Sequence, residues 1–426
     1  MKPTMSNIRI NSAKAMKWRV VGLAATLSIL SGCGGNGGSQ PPVTVTPSMP
    51  TPTPTPTPTP PPPSKKILGV MQMTIAPFKS PWAMAFMSDD RLLVTDNETK
   101  TLSIIAPGAV KTVSGLPTIS GLYDVAISPL YASDKTIYLT FAEASPPGTP
   151  RDGPYAYPDY LANPKTFQGV LALATAQFDE TTGTPNLKNF KVIWRQTPQI
   201  VSGGEFGGRI AFSPDRRYVF VSAGDRAVFA PARSLDNTLG KIIRLNLDGS
   251  IPLDNPFVGT PGALGEIWSL GHRNQYGLAF APDGRLWSSE HGPKGGDEFN
   301  LITPGANYGW PSVSYGDNYD GRPLPKPTDG DGFTASAYFW TPAIAPAGLI
   351  FYNGAEFADW NGDALLTGLV SRALIRVHID GDKAVEVQRL DLGGRIREVE
   401  QGPNGSLYVL VDSPDGKLVR ITPVFE

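Results

Sequence analysis

The chain has 426 residues with 37 basic against 38 acidic side chains, a balance that argues against nucleic acid or a strongly acidic surface as its partner. Its single cysteine rules out an internal disulfide framework and any zinc or iron–sulfur centre built on cysteine pairs. Glycine (46) and proline (43) are abundant, and part of the proline is gathered into one segment near the start.

That start has the order of a secretory signal. Lys14, Lys17 and Arg19 are followed by the apolar run "VVGLAATLSIL" (20–30) and then by "LSGC" (30–33). The run is too short for a comfortable membrane span. "LSGC" resembles the bacterial lipobox, which implies a lipid on Cys33; an ordinary signal peptide with a chance cysteine is the alternative. Gly34 after it implies outer-membrane sorting in a cell with two membranes. The expected location is the bacterial cell envelope, lipid-anchored and facing the periplasm or attached to the outer membrane. Residues 34–66, with their Thr-Pro repeat, cannot bury a core and favour extended polyproline II. They read as a tether.

From 67 to 426 no amphipathic helix longer than two turns is expected. A phrase recurs instead: a turn rich in Asp, Asn and Gly, then a short apolar strand. It appears as "MSDDRLLVTDN" (87–97), "YASDKTIYLTFAE" (131–143) and "SPDRRYVFVSAGD" (213–225). It returns as "APDGRLWSSEH" (281–291), "WNGDALLTGL" (360–369) and "GPNGSLYVLVD" (402–412). Each copy reads as a hairpin, because Asp-Gly or Asn-Gly supplies the positive φ angles of a tight turn. Six copies give about 60 residues per unit, the size of a four-stranded blade with long loops. The expected fold is therefore all-β, a six-bladed β-propeller of antiparallel blades; a large β-sandwich would not explain the repetition. Stretches 144–166 and 311–336 read as insertions, which in a propeller collect on a binding face.

The stretch "SSEHGPKGGDEFNLITPGANYGW" (288–310) breaks the strand pattern. Hard oxygen ligands on a glycine-rich loop suit calcium, which takes about six to eight of them in a flexible arrangement. A solvated acidic loop is the alternative.

Several segments then line up in order: "EFGGRIAFSPDRRYVFVSAGDR" (205–226), "DNTLGKIIRLNLDGSIPLDNPF" (236–257), "EIWSLGHRNQYGLAF" (266–280), "EHGPKGGDEFN" (290–300), "NYGWP" (307–311) and "GGRIREVEQGPNGSLYVLVD" (393–412). Together they closely resemble the glucose/sorbosone dehydrogenase family, and in particular its soluble aldose sugar dehydrogenases dependent on pyrroloquinoline quinone (PQQ). The resemblance implies the same six-bladed fold, a sugar substrate oxidised at C1 by hydride transfer to the quinone C5, and a periplasmic electron acceptor. It implies calcium on the carbonyls of Gly292 and Pro293, with Glu298 and Tyr308 at positions tied to calcium. It implies quinone contacts at Arg273, Asn274, Tyr319, Arg395 and Arg397. The quinone carries carboxylates, and guanidinium groups pair with these in a bidentate way.

Three positions depart from the family pattern. Its general base is a histidine, and here Glu205 aligns with it. A quinone-contacting glutamine aligns with Ile119, and a lysine with Val370, with Arg372 two residues on. A carboxylate can act as base, but at its usual pKa near 4 it is weaker than imidazole. His272, His291 and His378 do not replace the missing base: His272 is expected to face away from Arg273, and His378 to be a surface or packing residue. No nucleophile-elbow motif supports an acyl hydrolase. The leading reading is a PQQ- and calcium-dependent aldose dehydrogenase using Glu205. The alternatives are a non-catalytic calcium-stabilised propeller that binds a saccharide or protein, and a propeller lactone hydrolase.

Overall fold

In a computed structural model of the chain, residues 67–144, 169–200 and 204–426 are described. Residues 1–33, read as a signal segment ending at Cys33, residues 34–66, read as a tether, and almost all of the stretch 144–166, read as an insertion, lie outside them. Strand β1 (Ile67–Pro77) opens the described part. Blade 1 is β2 (Pro81–Phe86), β3 (Leu92–Asp96), β4 (Thr101–Ala106) and β5 (Ala109–Val113). Blade 2 is β6 (Gly121–Ile127), β7 (Thr136–Ala144), β8 (Gly169–Asp179) and β9 (Asn186–Arg195). Blade 3 is β10 (Gly207–Phe212), β11 (Tyr218–Ala223), β12 (Lys241–Asn246) and β13 (Ile267–Leu270). Blade 4 is β14 (Gln275–Phe280), β15 (Leu286–Glu290), β16 (Asp297–Ile302) and β17 (Tyr338–Trp340). Blade 5 is β18 (Pro346–Phe351), β19 (Ala364–Gly368), β20 (Ala373–Asp380) and β21 (Lys383–Asp391). Blade 6 is β22 (Ile396–Gln401), β23 (Leu407–Val411) and β24 (Lys417–Phe425), completed by β1.

Every blade is a four-stranded antiparallel sheet. The first strand of each packs against the first strands of its neighbours, closing a six-bladed ring. β1 seals that ring by pairing along β24, from Ile67 opposite Phe425 to Pro77 opposite Lys417. Each copy of the recurring phrase is the hairpin between the first and second strands of one blade. Its Asp or Asn side chain accepts the amide two residues on, as in Asp283 with Arg285 (3.0 Å) and Asp215 with Arg217 (3.2 Å).

A feature hidden from the sequence repeats at the centre. The first strand bulges against the second in every blade, between Pro81 and Met84 in blade 1 and between Gly207 and Ile210 in blade 3. A bulge leaves an amide without a ladder partner. Hydroxyls on the second strands take up those amides: Thr95 that of Ala83 (3.0 Å), Thr140 that of Asp124 (2.9 Å), Ser222 that of Arg209 (2.9 Å) and Thr367 that of Gly348 (2.8 Å). All four hydroxyl side chains are fully buried.

Mid-channel, Arg209 joins the blades. Its guanidinium bonds Glu398, lies 3.7 Å from Asp124, donates to the Tyr276 carbonyl (2.7 Å) and sits 4.3 Å above the Trp82 ring. Burial pushes Glu398 up to about 7 despite Arg209, and pushes Glu400 up to about 8 with help from Glu398 and Asp124. Carboxyls with raised folded pKa values hold protons that the unfolded chain releases near 4.5. Their contribution to stability is therefore complete below pH 4.5 and disappears as pH rises through about 7 and 8. The melting temperature is expected to fall between pH 5 and 8.5, and Glu400→Gln to flatten part of that slope. A melting temperature that stays level or rises across that window contradicts the channel titration.

Candidate active site

One face of the ring is where first strands begin and second strands end, opposite the recurring turns. Glu205 lies two residues before β10, Arg273 and Asn274 immediately before β14, Gly292 and Pro293 just after β15, and Arg395 and Arg397 at the start of β22. Ile119 and Val370 lie on the same rim, before β6 and after β19.

At its centre Arg273 bonds Glu205 Oε1 through one guanidinium nitrogen. Through another it donates to the carbonyls of Gly292 (2.9 Å) and His291 (3.4 Å). Asp225 sits below, fully buried. Its amide donates to the Arg273 carbonyl (2.8 Å), and its carboxylate accepts the Trp310 indole N–H (2.6 Å) and the Ala227 amide (2.9 Å). Glu205 Oε2 is buried with no hydrogen-bond partner, and the Asp225 carboxyl lies close enough to Glu205 for their charges to interact. Burial, then the charge and hydrogen bond of Glu205, hold Asp225 well above the usual carboxylate range. A second carboxyl this close in so dry a place disfavours the charged form of Asp225.

The local backbone is unusual. Glu205 has φ +53°, and Arg226, Ala227 and Phe229 also lie in the left-handed region. Gly224 has to be glycine, because a Cβ there would lie 2.0 Å from the Glu205 carbonyl oxygen.

The Gly292–Pro293 turn is held from behind. Asp297 accepts the Gly292 amide on one oxygen (2.9 Å) and the Ile344 and Ala345 amides on the other (both 2.7 Å), tying blade 4 to the entry of blade 5. The His291 imidazole bonds the Pro346 carbonyl (2.8 Å), and burial pushes its pKa down to about 3, so it stays neutral. Glu290 gathers the Arg273 amide (2.7 Å), His272 Nδ1 (2.9 Å) and the Asn300 amide group (2.9 Å). His272 Nε2 meets the Ser269 hydroxyl (2.9 Å), so Ser269, His272 and Glu290 have triad spacing. Ser269 and His272 are fully buried, however, and no substrate can reach that hydroxyl. The arrangement positions Arg273.

The residues expected to hold a cofactor or metal divide. The Asn274 side-chain oxygen accepts the Gly207 amide (3.0 Å), which fixes the start of β10 behind Glu205. Arg397 bonds Asp412 (2.6 Å), with Arg395 3.7 Å from the same oxygen, and Arg397 Nε is buried with no partner. Tyr319 is 70 % exposed and Val370 58 % exposed, and Arg372 bonds the Gly393 carbonyl. The Tyr308 hydroxyl is occupied by the Leu301 carbonyl and the Thr303 amide, and its ring stacks on His272 at 4.6 Å. Glu298 shares the Asn300 amide with Glu290, and burial and the Glu290 charge push its pKa well up. Asn300 Oδ1 is buried without a partner among these carboxylates, an arrangement that suits a hard cation. The orphaned Arg397 nitrogen likewise suits an anionic cofactor.

Asp225, Glu290 and Asp297 were missed by sequence reasoning, yet a signal was present. Copies of the recurring phrase end in an acidic residue as the second strand reaches this rim: Asp96, Glu143, Asp225, Glu290 and Asp412. His378, by contrast, is exposed and pairs with Asp363 (2.7 Å), far along β20.

A family model described as Glucose / Sorbosone dehydrogenase matches residues 78–420. Aldose sugar dehydrogenase YliI of Escherichia coli is 34% identical over 356 residues, covering 80% of this chain and 90% of that protein. Quinoprotein glucose dehydrogenase B of Acinetobacter calcoaceticus is 26% identical over 429 residues, covering 80% of this chain and 85% of that one. The crystal structure of the soluble aldose sugar dehydrogenase of Escherichia coli in its apo form is similar with a TM-score of 0.75, at 32% identity, over 83% of this chain and 100% of that one.

Proposed function

The chain belongs to the glucose/sorbosone dehydrogenase family, and from that membership we propose that it oxidises an aldose sugar at C1 with PQQ and calcium, using Glu205 as its base. The names of its relatives support the reaction class and the quinone. The observation that carries the site is the packing of Glu205, Arg273 and the Gly292 carbonyl into one cluster at the rim.

Bound PQQ would supply the electrophilic carbon, C5, that accepts the sugar's C1 hydride. Glu205 takes the proton of the C1 hydroxyl in the same event. Arg273 holds the Glu205 carboxylate and lies beside the carbonyls that would carry calcium, so it fixes base and metal turn to one frame. The upward push on Asp225 favours its neutral form, which spares Glu205 a second negative charge at its side. Gly292, Pro293 and Glu298 would hold calcium; the Tyr308 hydroxyl is already spent on backbone, so Tyr308 would contribute through position. Arg395, Arg397, Asn274 and Tyr319 would line the quinone. Lipid on Cys33 and the 34–66 tether would keep the enzyme at the cell envelope, passing electrons to a periplasmic acceptor.

Titration of the purified protein with PQQ in calcium, followed by dye reduction with a panel of aldoses, tests the reading. Saturable quinone binding with sugar-dependent reduction is expected. A propeller whose melting temperature rises with calcium but which binds no quinone would instead match the non-catalytic alternative that Ile119 and Val370 favour.

A further inference from the structure

Arg226 is 1 % exposed and reaches no solvent from the rim. Its guanidinium lies 3.5 Å from the centre of the Phe206 ring. Its Nε donates to the Gly204 carbonyl (3.1 Å), and its own amide donates to the Glu205 carbonyl (3.2 Å). A further nitrogen donates to the Gly169 carbonyl at the head of β8 (3.0 Å) and to the Gln196 side chain (3.4 Å), whose amide in turn donates to the Gly224 carbonyl (2.8 Å). One side chain thus grips the residue before Glu205, the ring of the residue after it and the blade alongside, while its backbone holds Glu205 itself.

We propose that Arg226 is the positioning residue for the base, holding Glu205 in its left-handed conformation so that the carboxylate faces Arg273. This rests on the reading of Glu205 as base, and nothing in the family resemblance assigns it. A carboxylate at φ +53° has extended conformations open to it, and a strained backbone persists where its surroundings over-determine it. Here three of those surroundings come from Arg226. A cation over an aromatic face, with its N–H groups directed at carbonyls, is stiff as well as attractive. The same burial that draws its pKa down to about 10 leaves it charged at neutral pH.

The test compares Arg226→Met, Arg226→Lys and Phe206→Leu with wild type, in calcium and PQQ. Arg226→Met is expected to lower kcat by about 100-fold, the scale of a small misplacement of a reacting group, with KM and quinone affinity held within threefold. Arg226→Lys should recover part of the loss. If Arg226→Met does not fold, Phe206→Leu keeps the cation, removes the ring beneath it and should show the same split more weakly. Unchanged kcat, or kcat and quinone affinity falling together, overturns the proposal. Amide hydrogen exchange separates this from failure of the functional reading. Should wild type prove inactive, Glu205 is no base, but faster exchange confined to residues 204–207 in the variants still supports the positioning role; unchanged exchange there sinks it.

Discussion

Glu205→Gln is expected to lower kcat by about 10²–10⁴, the range spanned by general base catalysis, while leaving PQQ and calcium affinity within a few-fold of wild type. Glutamine keeps the volume of the side chain and an oxygen for Arg273, so the cluster of Arg273, Gly292 and Asp225 has no reason to open. What disappears is the capacity to take a proton. Asp225→Asn makes the complementary test. Burial and the neighbouring Glu205 push the buried Asp225 carboxyl up, which favours its protonated form beside Glu205. An asparagine amide can give Glu205 a hydrogen bond without ever ionising. The variant should therefore retain much more activity than Glu205→Gln, read as kcat with the same aldose. A Glu205→Gln enzyme that turns over within threefold of wild type would mean that the proton goes elsewhere.

The balance between what the sequence revealed and what it hid follows from local against long-range chemistry. The hairpin phrase was legible because turn and strand are set by neighbours a few residues apart, and each copy became the first hairpin of one blade. The bulge hydroxyls were not legible. Thr95, Thr140, Ser222 and Thr367 look like ordinary strand residues until the strand beside them loses an amide partner. At the site, Glu205 at the entry to blade 3 meets Arg273 and Gly292 of blade 4. Tyr308 shows the limit of that approach: it sits at an aligned position, but its hydroxyl is turned to Leu301 and Thr303. Position in the chain fixes where a Cα lies; the direction of a side chain depends on partners that arrive from elsewhere. Asp297 is the counterpart, an acidic residue read as part of a loop pattern that proves to clamp two blades.

Arg209→Met carries the largest expected effect on stability, about 3–5 kcal/mol at pH 8, because breaking a buried pair leaves a carboxylate uncompensated in a dry channel. The substitution also strips the Tyr276 carbonyl of its donor and removes the cation above Trp82. The size of the effect should itself depend on pH. Glu398 titrates at about 7 with Arg209 present, and without that cation burial would push it higher still. Near pH 5.5 the carboxyl is protonated in either protein and needs no counter-charge, so much of the penalty vanishes. Asp124 adds to the account: burial pushes it up, and Arg209 opposes that more than the amides of Val125 (2.9 Å) and Ile210 (2.8 Å) that its oxygens accept. Replacing both partners, as in Arg209→Met with Glu398→Leu, should then be less destabilising at pH 8 than the single change, because one fewer buried carboxyl is left without its cation. Denaturant unfolding of the three proteins at the two pH values measures this. Equal losses at both pH values, or a double variant no better than the single one, would show that Arg209 acts by filling space at the hub and that its charge is incidental.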